Sequence, residues 1–152
     1  MNEKLSTIFT SQSRLVMVGW LALLALPFWA PAKLVVLAVL AIICMVYAYV
    51  VVFGKKYEIN ERPSSIKGFF SLKGVMRLFA NPRNTLAAWI HILAFDLTVG
   101  LFISLDALAQ GISNWFVVPV LFLTLMFGPS GLLVYLIIRI CHNPNLLSFG
   151  LG

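Results

Sequence analysis

With 152 residues, the chain has room for one domain, residues 1–152, and not for a separate soluble catalytic module. It is 61% hydrophobic and only 11% charged, which excludes an ordinary soluble domain and predicts an integral membrane protein. The net charge of +6 could indicate nucleic acid, but the position of the charges favours anionic lipid at one membrane face, so we expect no nucleic acid partner.

Four apolar segments are close to the ~20 residues that a membrane-spanning helix needs. They cover residues 15–30, 34–53, 86–108 and 115–140. Residues 66–79, in the polar loop between spans two and three, have an amphipathic helical pattern that is typical of an interfacial helix. This stretch serves either as a structural elbow or as a gate for a lipid-like substrate. The sequence thus predicts an all-α, polytopic membrane protein, a four-transmembrane-helix bundle with an interfacial amphipathic helix.

The distribution of Lys and Arg predicts the orientation. Of eleven Lys and Arg residues, all but Lys33 fall on the side that would hold both termini and the middle loop, with Arg139 counted on that side. Because cytoplasmic loops carry an excess of positive charge, we expect both termini in the cytoplasm. The N-terminus resembles neither a secretory signal nor a transit peptide. We therefore expect a bacterial inner membrane protein.

Three ionisable residues lie inside the apolar third span: His91, Asp96 and Asp106. Such groups are costly at membrane depth and usually face a partner, a cavity or a substrate. On a helical wheel His91 and Asp106 share one stripe, whereas Asp96 is rotated by roughly 80° from Asp106. We take these three residues as catalytic candidates.

The fourth span supplies facing groups if it runs antiparallel to the third. Depth matching then puts Asp96 level with Gly128 and Pro129, and His91 near Tyr135. Pro129 removes a helical hydrogen bond and predicts a kink, where small residues suit close approach or a pocket. Candidate substrate-binding residues around this pocket are Thr98, Ser130 and Tyr135.

Each candidate also has a plain structural interpretation. Asp106 could be solvated at the outer end of its helix, and His91 could only bridge two helices. The Gly128-Pro129 pair could be a packing kink. No zincin, phosphate-loop, dinucleotide or serine-hydrolase motif is present, and two histidines cannot build a multi-histidine iron site. Whether a metal binds stays open.

Residues 81–139 contain a fairly specific set of residues, most of them polar or small, at fixed spacing. It comprises Trp89, His91, Asp96-Leu97, Gly100, Asp106, Pro119, Phe127-Gly128-Pro129, Gly131-Leu132 and Tyr135. This pattern resembles the abscisic-acid-deficient family of small four-span membrane proteins, whose plant members are associated with neoxanthin synthesis. The resemblance implies rearrangement of an epoxide of violaxanthin into the allene of neoxanthin. It adds Trp89 and Phe127 to the candidate substrate-binding residues.

Opening an epoxide needs an acid near its oxygen, and forming an allene needs a base. We expect Asp96 as the acid and His91 as the base, with no cofactor required because the reaction is an isomerisation. The leading hypothesis is an isomerase for a carotenoid or other isoprenoid, with membrane lipid and that hydrophobic polyene or isoprenoid as partners. One alternative is a non-enzymatic membrane subunit or a carotenoid- or lipid-binding protein. A second is a proton or cation pathway through Asp96 and Asp106, which would need a homo-oligomer.

Overall fold

A computed structural model describes residues 3–54 and 70–143 and arranges them in six α-helices. The all-α prediction is confirmed, and three of these helices (α1, α2 and α4) are long and apolar enough to cross a membrane. In chain order the helices are α1 Glu3–Ala25, α2 Ala32–Phe53, α3 Leu72–Phe79, α4 Pro82–Gln110, α5 Asn114–Phe127 and α6 Pro129–His142.

The long helices pack around α4, which touches each of the other five. α1 extends from Glu3, well before the predicted start at residue 15, because Leu5 and Gln12 are already buried against the bundle. Gly19 of α1 permits close approach to α4, since a Cβ there would lie 2.7 Å from a methyl carbon of Leu97. The core of this three-helix unit is fully buried and apolar, with Leu23, Val36, Ile43, Ile90 and Leu97 at its centre.

The amphipathic stretch predicted over residues 66–79 is described as a helix only from Leu72 to Phe79, because residues 66–69 lie outside the described residues. Ser71 caps this helix by accepting a hydrogen bond from the Gly74 N–H. No residue of α3 is buried; Leu72, Met76 and Phe79 are exposed, whereas Val75 and Leu78 are half-buried. Much of the apolar face of α3 is therefore left uncovered by the other described residues.

Residues 115–140, predicted as one continuous span, form two helices. α5 ends at Phe127 and α6 begins at Pro129. Gly128 between them has φ 38° and ψ −94°, a conformation that favours glycine. α6 then folds back along α5, because a Cβ on Gly131 would lie only 2.5 Å from the backbone nitrogen of Thr124. In an uninterrupted helix those two residues would be about 10 Å apart.

The far end of this α5–α6 hairpin lies beside the C-terminal end of α4. The Nδ2 group of Asn143 donates a hydrogen bond to Gln110 Oε1 (3.3 Å), and His142 Nε2 lies 3.2 Å from the Gln110 carbonyl oxygen. The N-terminal part of α1 is at the opposite end of α4, where Phe9 packs on Trp89. The expectation of both termini at one membrane face is thus not supported, because the chain reverses at Gly128.

Arg83 joins the start of α4 to the end of α2. Its Nη2 donates to the Val51 carbonyl (2.6 Å) and its Nε to the Val50 carbonyl (3.2 Å). Gly54 leaves room for this side chain, since a Cβ there would lie 2.8 Å from Arg83 Nε. A cation at a helix C-terminus satisfies carbonyls that have no intrahelical partner and favours the helix dipole.

Arg83→Ala should lower the free energy of unfolding by about 1.5–3 kcal/mol, the usual contribution of a charge-assisted hydrogen bond. The thermal midpoint of the detergent-solubilised protein measures this loss. Lys73→Ala, which removes an exposed cation from α3, is the matched control and should leave the midpoint unchanged. Equal midpoints for both variants would mean that Arg83 does not tie α2 to α4.

Candidate functional site

Asp106 is the centre of a buried polar cluster between α4 and α6. Its Oδ2 accepts a hydrogen bond of 2.5 Å from the Tyr135 hydroxyl and one of 2.7 Å from Arg139 Nε. Tyr135 and Arg139 are four residues apart and so share one face of α6. All three side chains are buried, which excludes the interpretation of Asp106 as a solvated helix end.

This cluster is suited to holding helices together. Asp106 and Arg139 form an ion pair in which both side chains are almost fully removed from water. A buried charge that loses its partner is strongly destabilising, so each residue needs the other. The second oxygen of Asp106, Oδ1, has no hydrogen-bond partner among the described residues. The cluster therefore anchors α6 to α4 and offers at most one carboxylate oxygen to any ligand.

Asp96 has a different environment. It lies midway along α4, fourteen residues from each end of that helix. Depth matching put it beside Gly128, and the structure agrees, since a Cβ on Gly128 would lie 2.6 Å from Asp96 Oδ1. Asp96 is half-buried and has no hydrogen bond to another described residue. A carboxyl group without a partner thus lies at the tip of the α5–α6 hairpin.

Two further candidates lie at this tip. Phe127 is the last residue of α5 and Ser130 is in the first turn of α6, so they flank Gly128. Both side chains are exposed. The sequence-predicted residues that the structure brings together here are Asp96, Phe127 and Ser130.

His91 and Thr98 lie elsewhere on α4. Five residues separate His91 from Asp96, which places the two side chains about 140° apart around the helix. The His91 ring stacks on Phe95 at 4.4 Å and contacts Tyr47 of α2 at 5.8 Å between centroids. The Thr98 hydroxyl donates to the Ala94 carbonyl of its own helix.

The expectation that His91 lies near Tyr135 is wrong. That expectation requires a chain that continues across the membrane after Gly128. Because it reverses there, Tyr135 returns along α4 and reaches Asp106.

Trp89 lies between α4 and α1 on the other side of the hairpin tip. Its Nε1 donates a hydrogen bond of 3.3 Å to Ser13 Oγ, and its ring lies 5.7 Å from that of Phe9. Trp89 remains partly exposed. It therefore belongs to a surface formed with α1 and is separate from the buried cluster at Asp106.

Sequence reasoning missed Arg139. It was counted as a charge that orients the last span, whereas it is fully buried against Asp106. The signal that could have identified it is its spacing of four residues from Tyr135, which puts both on one helical face. An acid and a base, both within apolar helices, are each stabilised by forming a pair.

Within residues 3–54 and 70–143, no group of three or more His, Cys, Asp or Glu side chains is arranged to hold a metal ion. Two of the three catalytic candidates are carboxylates, and their surroundings differ. Asp106 is neutralised by an ion pair, whereas Asp96 has no hydrogen-bond partner among these residues.

A protein-family model described as ABA DEFICIENT 4-like matches residues 7–135. The match covers most of the chain and includes Asp96, the Gly128 reversal and Asp106 with its partner Tyr135. No curated protein and no solved structure matches the chain. The protein therefore belongs to the ABA DEFICIENT 4-like family.

Proposed function

We propose that this protein is an isomerase that acts on a carotenoid or another isoprenoid within the bilayer, with Asp96 as the proton donor. One observation carries the proposal: Asp96 is a half-buried acid at the midpoint of α4, without a hydrogen bond to another described residue. Ionisable groups at membrane depth that lack a structural partner are usually functional. Membership of a family related to neoxanthin synthase-type proteins supports the substrate class.

The reaction balances without an oxidant or reductant. The Asp96 carboxyl donates its proton to the epoxide oxygen, the C–O bond breaks, and a hydroxyl group forms. A proton is then lost from a neighbouring polyene carbon, and the electrons of that C–H bond form the new double bond of the allene. His91 points away from Asp96, so the Asp96 carboxylate is better placed to accept this proton. One carboxyl group would then act first as the acid and afterwards as the base.

Asp96→Asn should abolish conversion of an epoxy-carotenoid, because the amide has the same shape but cannot donate or accept the proton. We expect a loss of about a hundredfold or more, the usual contribution of general acid–base catalysis. The measurement is the chromatographic pigment profile of cells that make violaxanthin and express the wild type, the variant or no protein. His91→Gln is the matched control and should keep most of the conversion.

Identical pigment profiles with and without the wild-type protein would refute the isomerase. Full conversion by Asp96→Asn would refute the role of Asp96. If pigment co-purifies unchanged, the second candidate, a carotenoid- or lipid-binding protein, is favoured. The exposed aromatic side chains near the tip, Phe95 and Phe127, support that candidate. The proton-pathway hypothesis has less support, because Asp106 is occupied by Arg139.

The same proposal includes an orientation in the bacterial inner membrane. Lys4, Arg14, Lys73, Arg77 and Arg83 lie on the N-terminal half of α1, on α3 or at the start of α4. The positive-inside rule assigns this end to the cytoplasm. The uncovered apolar face of α3 then lies on the cytoplasmic leaflet, as an interfacial helix does.

A further inference from the structure

We propose that the α5–α6 hairpin fills only one leaflet and leaves an entry groove in the other, through which an oxygenated isoprenoid reaches Asp96 with its polar end first. We define the entry groove as the surface that carries Phe9 and Ser13 of α1 and Trp89 and Ile92 of α4, and that ends at Asp96 beside Gly128. This inference rests on the proposed function and adds the route and the leaflet of access.

The lengths of the helices determine how deep the hairpin reaches. α5 and α6 have 14 residues each, about 21 Å, whereas the 29 residues of α4 extend about 43 Å. Each arm is shorter than the ~30 Å hydrocarbon core. The outer end of the hairpin lies at Gln110 and its tip at Asp96. The hairpin therefore covers only the C-terminal half of α4.

The exposure of α4 side chains changes where the hairpin ends. Residues seven apart lie within about 20° of each other on a helix. Along one such line Trp89 is 40% exposed, Asp96 is half-buried and Ile103 is 0% exposed. Along a neighbouring line Ile92 is 49% exposed, whereas Asp106 is 5% exposed. One face of α4 is thus covered beyond Asp96 and open before it.

The aromatic and acidic side chains of the entry groove indicate the chemistry of the molecule that it binds. Its walls carry the rings of Phe9 and Trp89, and the Trp89 N–H is already bonded to Ser13. Such walls suit a long apolar molecule. At the closed end, however, the Asp96 carboxyl needs a hydrogen-bonding partner, and an acyl chain of a phospholipid offers none. An isoprenoid with an epoxide or hydroxyl group at one end satisfies both requirements.

The depth of the site adds a requirement on the substrate. Asp96 is fourteen residues from the start of α4, about 21 Å along the helix axis. A carotenoid that keeps both polar rings at the two membrane faces cannot place either ring there. The substrate must therefore enter from the leaflet on the α3 side and carry one ring down to the middle of the bilayer.

Spin labels at two positions of α4 test the entry groove. Ile92→Cys places a label in the groove, and Leu105→Cys places one outside it, at a residue with a similar exposure of 44%. Both are made in a Cys44→Ser/Cys141→Ser chain, because the natural cysteines are free and exposed. The proteins are reconstituted in lipid nanodiscs, and violaxanthin or β-carotene, which has no oxygen, is added.

We expect violaxanthin to reduce the mobility of the label at position 92 and to leave that at position 105 unchanged. β-Carotene should affect neither label, and Asp96→Ala should abolish the effect of violaxanthin. Equal responses at both positions, or none at position 92, would overturn the entry groove. If the label at position 92 does not respond selectively but the protein still converts pigment, the isomerase proposal holds and the entry groove is wrong. A selective response at position 92 without conversion supports the entry groove and counts against the isomerase.

Discussion

Gly131→Ala is expected to unfold the α5–α6 hairpin and to lower the free energy of unfolding by about 3 kcal/mol, at the upper end of the range for overpacking. The added Cβ would collide with Thr124 Oγ1 and would lie 2.5 and 2.6 Å from the backbone nitrogen and Cα of the same residue. Backbone atoms cannot move aside as the end of a flexible side chain can. The two helices must therefore separate. Thermal midpoints of the purified protein in detergent measure the effect.

Two variants make this prediction specific. Ser130→Ala changes the neighbouring exposed residue without adding an atom and should keep the wild-type midpoint. Adding Thr124→Ala to Gly131→Ala removes the hydroxyl contact but leaves the backbone contacts, so stability should recover only in part. A wild-type midpoint for Gly131→Ala, or full recovery in the double variant, would show that the helices are not packed backbone to backbone.

Arg139→Met is expected to destabilise the protein by about 3–5 kcal/mol, because it leaves the Asp106 carboxylate buried without its countercharge. Asp106 also accepts a hydrogen bond from the Tyr135 hydroxyl, but this neutral group cannot neutralise the charge of the carboxylate. The triple variant Asp106→Leu, Tyr135→Phe, Arg139→Met should regain most of the stability, since replacing a whole buried cluster by apolar residues is often neutral. Chemical or thermal unfolding in detergent gives both values.

The matched control is Arg77→Met, which removes an exposed cation from α3 and should have almost no effect. A single variant at Arg139 that unfolds like the wild type would mean that the ion pair does not form. A triple variant as unstable as the single one would mean that the charged cluster itself supplies net stability.

Much of the fold could be predicted from hydropathy. The three long helices and the amphipathic character of α3 follow from the length and periodicity of their apolar residues. The hairpin could not be predicted in this way, since residues 115–140 form one apolar run of a length that also fits a single span. The reversal depends on the contact of Gly131 with Thr124, which is seven residues earlier in the chain and invisible to periodicity.

The candidate site was predicted in part for the same reason. The contact between Asp96 and Gly128 was expected, because it precedes the reversal and depends only on the short connection between α4 and α5. Every residue after Gly128 was assigned to the wrong depth. Tyr135 was therefore matched with His91, and Arg139 was counted as a charge at the membrane face although it pairs with Asp106.

The buried pair of Asp106 and Arg139 has a consequence for biogenesis. α6 has 14 residues, too few to be retained as a span by the insertion machinery, and its arginine is costly in hydrocarbon when alone. We therefore expect α6 to integrate stably only when α4 is already in the bilayer and offers the countercharge. On this expectation, a chain that lacks Asp106 would insert its last helix less efficiently than the wild type.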